Sequence, residues 1–265
     1  MSLIDDKLFI KMEPFKQKSL FRKIALTLWN KHGDPSVYSF VELDVTNLKI
    51  KAQLLSMVVK SLGETMNRNK ELSSIIKWGG IVQRSDKTIS VMVNIPGLKM
   101  DDLSALNMED THLISLEQIQ SKIETKATAV RDYRDPHLGP MLNLIRFIPR
   151  ILLKFFLKIY EFSIYELGFR FGLRFLPFKP FGSIIVSNVG SLGIKNALLP
   201  LVPMARAVLM VSVGKISKEP RVVENTVCVR EVVQIGITFD HRFFDGSHAA
   251  KMLVDFETCF YSLAK

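Results

Sequence analysis

Thr238-Phe239-Asp240-His241-Arg242-Phe243-Phe244-Asp245-Gly246 is the stretch whose reading decides the fold. Ahead of it, Val232, Val233, Ile235, Ile237 and Phe239 recur with the spacing of a buried strand. Behind it, Ser247-His248-Ala249-Ala250-Lys251-Met252-Leu253-Val254-Asp255-Phe256 carries its apolar residues at helical spacing, with Asp245 or Ser247 placed to cap the first turn. A histidine is thus expected in a short strand-to-helix loop, beside a carboxylate and a glycine. Rigid flanking elements can aim an imidazole there, which is what a general base requires.

His-x-x-x-Asp-Gly in this setting resembles the catalytic signature of the 2-oxo acid dehydrogenase acyltransferases and of their relative chloramphenicol acetyltransferase. The run Asp-His-Arg-x-x-Asp-Gly resembles in particular the dihydrolipoamide acyltransferase catalytic domain. The likeness continues 54 residues upstream of His241, where Ser183-Ile184-Ile185-Val186-Ser187-Asn188-Val189-Gly190-Ser191-Leu192-Gly193 looks like the family's strand and turn of the form Thr-x-Ser-Asn-Leu-Gly. Ala207 to Val213 resembles the next core strand, Arg22-Lys23-Ile24-Ala25 the first helix, and Phe40 to Thr46 the first strand. Lys51 to Asn69 would be the long helix that follows, and Ile75–Gln83 with Ile89–Asn94 a strand pair. The resemblance covers roughly residues 20–135 and 182–264 and is loose in the middle.

It implies a chloramphenicol acetyltransferase-like α/β fold: a mixed sheet flanked by helices, with an insertion at about 139–181 before the catalytic strand. It also implies an acyltransferase, moving an acyl group between a thioester of CoA or a carrier and a thiol or hydroxyl acceptor. His241 would be the general base and Ser187 the hydroxyl that donates to the oxyanion. Asp245 belongs to the same catalytic set, chiefly by holding the loop in shape through an arginine, for which Arg22 is the candidate. Gly246 would permit the tight turn into the helix. In the family each active site lies between two subunits of a trimer, which supply the histidine and the serine separately. A monomer would then be inactive.

Composition agrees with an α/β domain. The chain has 265 residues, 48% of them apolar and 23% charged, which is enough for one large or two small cores. A single catalytic domain is expected. With its catalytic-like region starting near residue 20, there is no room for the lipoyl and subunit-binding domains of a complete dihydrolipoamide acyltransferase, nor for a lipoyl attachment site. CoA or acyl-CoA would be a substrate, with no covalently bound cofactor. Two cysteines, Cys228 and Cys259, make a disulfide framework or thiolate metal site a poor reading and fit a reducing, cytoplasmic compartment. No signal peptide is read in Met1–Gln17, where Asp5 and Asp6 occupy the place of a basic leader. His248, one turn along the helix, has no third ligand to complete a metal site with His241 and reads as a surface or interface histidine. His32, His112 and His137 have no partners by spacing. Gly190 and Gly193 lack the Gly-Lys-Ser/Thr of a phosphate loop and read as turn glycines.

Residues 141–181 depart most from the family. They hold nine of the 18 phenylalanines, and seven basic residues (Arg146, Arg150, Lys154, Lys158, Arg170, Arg174, Lys179) against two acidic ones (Glu161, Glu166), half of the formal net charge of +10. The first four basic residues, spaced by four, would form a stripe on a helix. Leu144, Phe147, Ile148, Ile151, Leu152, Phe155 and Phe156 would cover the opposite side, and a second, shorter helix would follow a break near Ser163 or Gly168 and end before Pro177. The charges exclude a membrane-spanning helix. Three readings stay open: a helix at a membrane surface through 141–178, a cover for the protein's own core or a subunit contact, and the wall of a channel for a long acyl chain. Nucleic acid is a poor partner, since the basic residues come with Phe and Leu and not with polar loops. Against the acyltransferase stands a different class of function, a catalytically retired trimeric scaffold or peripheral membrane protein of the same fold.

Overall fold

A computed structural model describes residues 34–48, 51–84, 86–95, 102–131, 148–167 and 181–264. The organising element is the long strand β9 (Thr226–Asp240), whose inward residues Val233, Ile235, Ile237 and Phe239 are almost wholly buried. Its second half lies between β1 (Ser36–Asp44) and β7 (Leu209–Val213), antiparallel to both, and its first half pairs with β8 (Ser217–Val223). The sheet continues from β7 through β6 (Ile184–Asn188) and β4 (Thr88–Ile95) to β5 (Asp102–Glu109). β4, β6 and β7 run parallel while both edges pair antiparallel, so the sheet is mixed. Their near-continuous Val and Ile content is what strands covered on both faces require.

One face of the sheet is closed by α1 (Leu54–Arg68), α2 (Leu116–Arg131) and α4 (Gly246–Leu263), which contribute Val58, Leu62, Met66, Ile119, Phe256 and Phe260 to the main core. The other face carries a smaller cluster, Ile185 and Met210 with Leu201, Ala205 and Ala207. The helix α3 (Arg150–Glu161), which ends in a π-helical turn (Phe162–Glu166), is tied to that side because the Tyr165 hydroxyl donates to the Ala205 carbonyl at 2.9 Å. Segment 195–197 crosses close over β7 and β9, which only glycine allows: a Cβ at Gly214 would collide with the Lys195 carbonyl, and one at Gly236 with that of Ala197.

The expected mixed sheet flanked by helices is the one observed, with two corrections of detail. Residues 75–83 do not pair with 89–94. They form their own hairpin of β2 (Ser74–Lys77) and β3 (Gly80–Gln83), because the Trp78-Gly79 turn folds the segment back on itself, and β4 pairs instead with β5 and β6. The helix expected over 51–69 opens with a 3₁₀ turn at Lys51–Gln53. In α3 the buried residues are Leu153 and Leu157, whereas Ile151, Leu152, Phe155 and Phe156 are exposed. Leu153 and Leu157 lie one turn apart and so form a single narrow stripe. The break at Ser163 is the π-helical turn. Arg22–Ala25, Leu144, Arg146, Phe147, and the second short helix before Pro177 lie outside the described residues.

Candidate active site

His241 follows directly on β9, and its backbone N–H donates to the Pro35 carbonyl ahead of β1. The flanking residues clamp it: the Asp240 carboxylate, only 2% exposed, accepts the Arg242 backbone N–H at 2.9 Å and the Arg242 guanidinium through both oxygens at 2.6–3.1 Å. Hydrogen bonding to Asp240 raises the Arg242 guanidinium above its ordinary range, so the guanidinium stays charged. The sequence reading passed over the pair, although an acid and an arginine two apart around a histidine was its signal.

The ring of His241 is oriented by a second bond. Its Nδ1 lies 2.6 Å from the Phe244 carbonyl oxygen. A carbonyl only accepts, so Nδ1 carries a proton, which leaves Nε2 as the nitrogen that can act as base. Phe244 is itself buried and packs edge-on against Phe239, with ring centroids 6.1 Å apart, which anchors the carbonyl that aims the ring. His241 faces solvent.

Asp245 is the N-cap of α4. Its Oδ1 accepts the His248 N–H at 2.9 Å and the Ser247 hydroxyl at 2.8 Å, and lies 2.7 Å from His248 Nδ1. These bonds, led by the His248 backbone N–H and then the Ser247 hydroxyl, hold its carboxyl far below the usual range. His248 is therefore a partner of Asp245 on the exposed first turn. The expected pairing of Asp245 with Arg22 lies outside the described residues. Gly246 needs correcting: it is the first helical residue, its φ is not positive, and a Cβ there would meet nothing within 4 Å. Asp245 makes the entry into the helix, in its extended backbone conformation, so within one chain the turn does not demand glycine.

Ser187 sits near the end of β6, between Met92 of β4 and Ser212 of β7. It alternates with Ile184 and Val186 of the main core, so it shares the opposite face with Ile185. The next residue, Asn188, starts a 3₁₀ turn (Val189–Leu192) by accepting from the Ser191 N–H, and Gly193 closes it with φ of 83°. Gly190 owes its identity to packing and not to turn geometry, since a Cβ would strike the Gly214 carbonyl.

The sheet register keeps the two candidate residues apart. Ser187 is aligned with Ser212, and Ser212 with Gly236, two strands away on β9. His241 lies five residues beyond Gly236. With strands about 4.8 Å apart and a rise of about 3.4 Å per residue, His241 and Ser187 of one chain are about 20 Å apart. One chain cannot bring both to one substrate carbonyl.

Residues 181–264 match the family model of the 2-oxoacid dehydrogenases acyltransferase (catalytic domain), the stretch that holds both motifs. No curated protein is matched by sequence. The fold is shared over nearly the whole chain with the probable dihydrolipoamide acetyltransferase of Listeria monocytogenes 4b F2365 (TM-score 0.68, 16% identity, 96% of each chain covered). It is shared as well with the dihydrolipoamide acetyltransferase of Azotobacter vinelandii (TM-score 0.65, 15% identity, 99% of this chain and 97% of that one). A truncated catalytic core of the 2-oxoacid dehydrogenase complex from Thermoplasma acidophilum is similar too (TM-score 0.63, 17% identity, 94% and 98%). The resemblance read from the two motifs is thus found again in the family match and in the fold.

Proposed function

We propose that this chain is an acyltransferase domain whose active site forms between subunits, with His241 of one chain and Ser187 of another. The observation that carries the reading is the His241 ring itself: Nδ1 is committed to the Phe244 carbonyl, and Nε2 is left free at the end of a rigid strand, within the stretch that matches the acyltransferase family. The Azotobacter vinelandii relative adds support, since work on its catalytic mechanism concerns a serine, a histidine and, four positions after the histidine, an asparagine. Here Asp245 stands four after His241.

Nε2 of His241 takes the proton from the acceptor thiol or hydroxyl as its sulfur or oxygen attacks the thioester carbonyl. The Ser187 hydroxyl of the neighbouring chain donates to the oxygen as it becomes negative. When the tetrahedral intermediate collapses, the C–S bond breaks and the CoA thiolate takes the proton from Nε2. Asp240, Arg242 and Asp245 touch no substrate in this scheme. They fix the loop. A separation of about 20 Å within one chain favours a closed homo-oligomer, with a trimer as the expected form. Both cysteines are unpaired, in keeping with a reducing, cytoplasmic compartment.

The test is release of free CoA from a panel of acyl-CoAs of rising chain length, with cell extract or dihydrolipoamide as acceptor, for wild type and His241→Ala. Loss of general base catalysis predicts a fall of about 10²–10⁴-fold. Turnover that is equal in both proteins would overturn the role of His241, and turnover absent from both would leave the retired scaffold.

A further inference from the structure

We propose that α3 and the turn between β2 and β3 dock this protein on the surface of an anionic lipid bilayer. After Leu153 and Leu157 are buried, α3 still presents Ile151 (83% exposed), Leu152, Phe155 (61%), Phe156 (54%) and Ile159 to solvent, and Phe162 extends this strip into the π-helical turn. The strip continues onto the hairpin. Trp78, 64% exposed, packs edge-on against Phe162 with centroids 5.6 Å apart, and its backbone N–H donates to Glu166 at 2.6 Å. Trp78 occupies the turn with φ of 50°, followed by Gly79 at 75°, so both central residues are left-handed. Asn or Gly suits that position, and a bulky side chain is rarely found there. The turn chemistry yields to presenting an indole, the side chain most at home between water and acyl chains.

Charge selects the occupant. Arg150 and Lys158 are exposed along the flank of the strip, and Lys154 lies between them, half-buried. The only acidic residues between 141 and 181, Glu161 and Glu166, share Arg206 at 2.8–3.0 Å, so the single net negative charge they leave is outweighed by the cations of α3. Lysines threaded along an apolar strip are unusual in the centre of a protein interface, where lysine is depleted. They suit a headgroup layer, where their stems lie on apolar surface and their ammonium groups reach phosphate. No helix among the described residues is long and apolar enough to cross a membrane, so the contact is one of lying on the bilayer.

Flotation of the full chain with phosphatidylcholine vesicles containing about one-third phosphatidylglycerol, against phosphatidylcholine alone, tests this directly. Wild type should float with the anionic vesicles and be released by high salt. Phe155→Glu with Phe156→Glu should lower the bound fraction at least ten-fold, and Lys154→Glu or Lys158→Glu about five-fold or more each. Mass by light scattering should stay as in wild type. Because a variant can fail by misfolding, Trp78 fluorescence in a Trp29→Phe background supplies an independent reading: it should shift to the blue with anionic vesicles only. Failure of wild type to float, an unshifted Trp78, or a phenylalanine variant that binds as wild type would overturn the proposal. So would a phenylalanine variant that falls to a smaller oligomer, which would make this face a subunit contact.

Discussion

At the scale of single residues, the loop is built to hold one imidazole nitrogen free. The Phe244 carbonyl orients the His241 ring, and Asp240–Arg242 fixes the backbone on either side, which the proposed role as general base would require. Arg242→Ala strips the guanidinium from a carboxylate that is 2% exposed, which should cost about 1–3 kcal/mol in urea unfolding, with turnover falling while substrate KM changes little. If Ser187 donates to the oxyanion as proposed, Ser187→Ala should lower kcat by about 10²–10³-fold. Asp245 gives a prediction in pH. Its folded carboxyl is held below the unfolded value of about 3.9, so its contribution to stability is complete above that value and is lost as pH falls through it. Asp245→Ala, lacking the cap, should melt about 2–4 °C lower than wild type. That gap should close on acidification below about pH 4, as measured by thermal melts across the range.

At the scale of elements, what could be read from the chain followed from periodicity. Val232 to Phe239 alternate and form β9, and the apolar spacing after Asp245 becomes α4, so the strand, loop and helix that hold His241 were legible before any coordinates. The hairpin at Ser74–Gln83 was missed. Its signal was the Gly79-Gly80 pair, which was passed over because the apolar residues on both sides read as one strand. Nor could the buried side of α3 be chosen, because Leu153 and Leu157, which are buried, and Ile151, Leu152, Phe155 and Phe156, which are exposed, are all apolar. The Asp240–Arg242 clamp was missed because its meaning depends on burial of the carboxylate, which sequence does not state. Close backbone approach was equally silent. Gly236→Ala should strain the contact of β9 with the Ala197 carbonyl and cost about 1–3 kcal/mol, which equilibrium unfolding would read.

At the scale of the whole molecule, the separation of Ser187 from His241 is the fact that everything functional must accommodate. The sheet puts the two motifs two strands apart and five residues out of level, which is the separation that the proposed site between copies would bridge. A trimer of 30.1 kDa chains should scatter light as a particle of about 90 kDa. The most direct measurement co-assembles Ser187→Ala chains with His241→Ala chains, each inactive alone, and assays acyl transfer by the mixture. If each site joins the serine of one chain to the histidine of the next, random equal mixing restores both intact residues at about one site in four, and activity returns to about a quarter of wild type. If mixed oligomers are verified and no activity returns, Ser187 and His241 do not serve a common site across the interface.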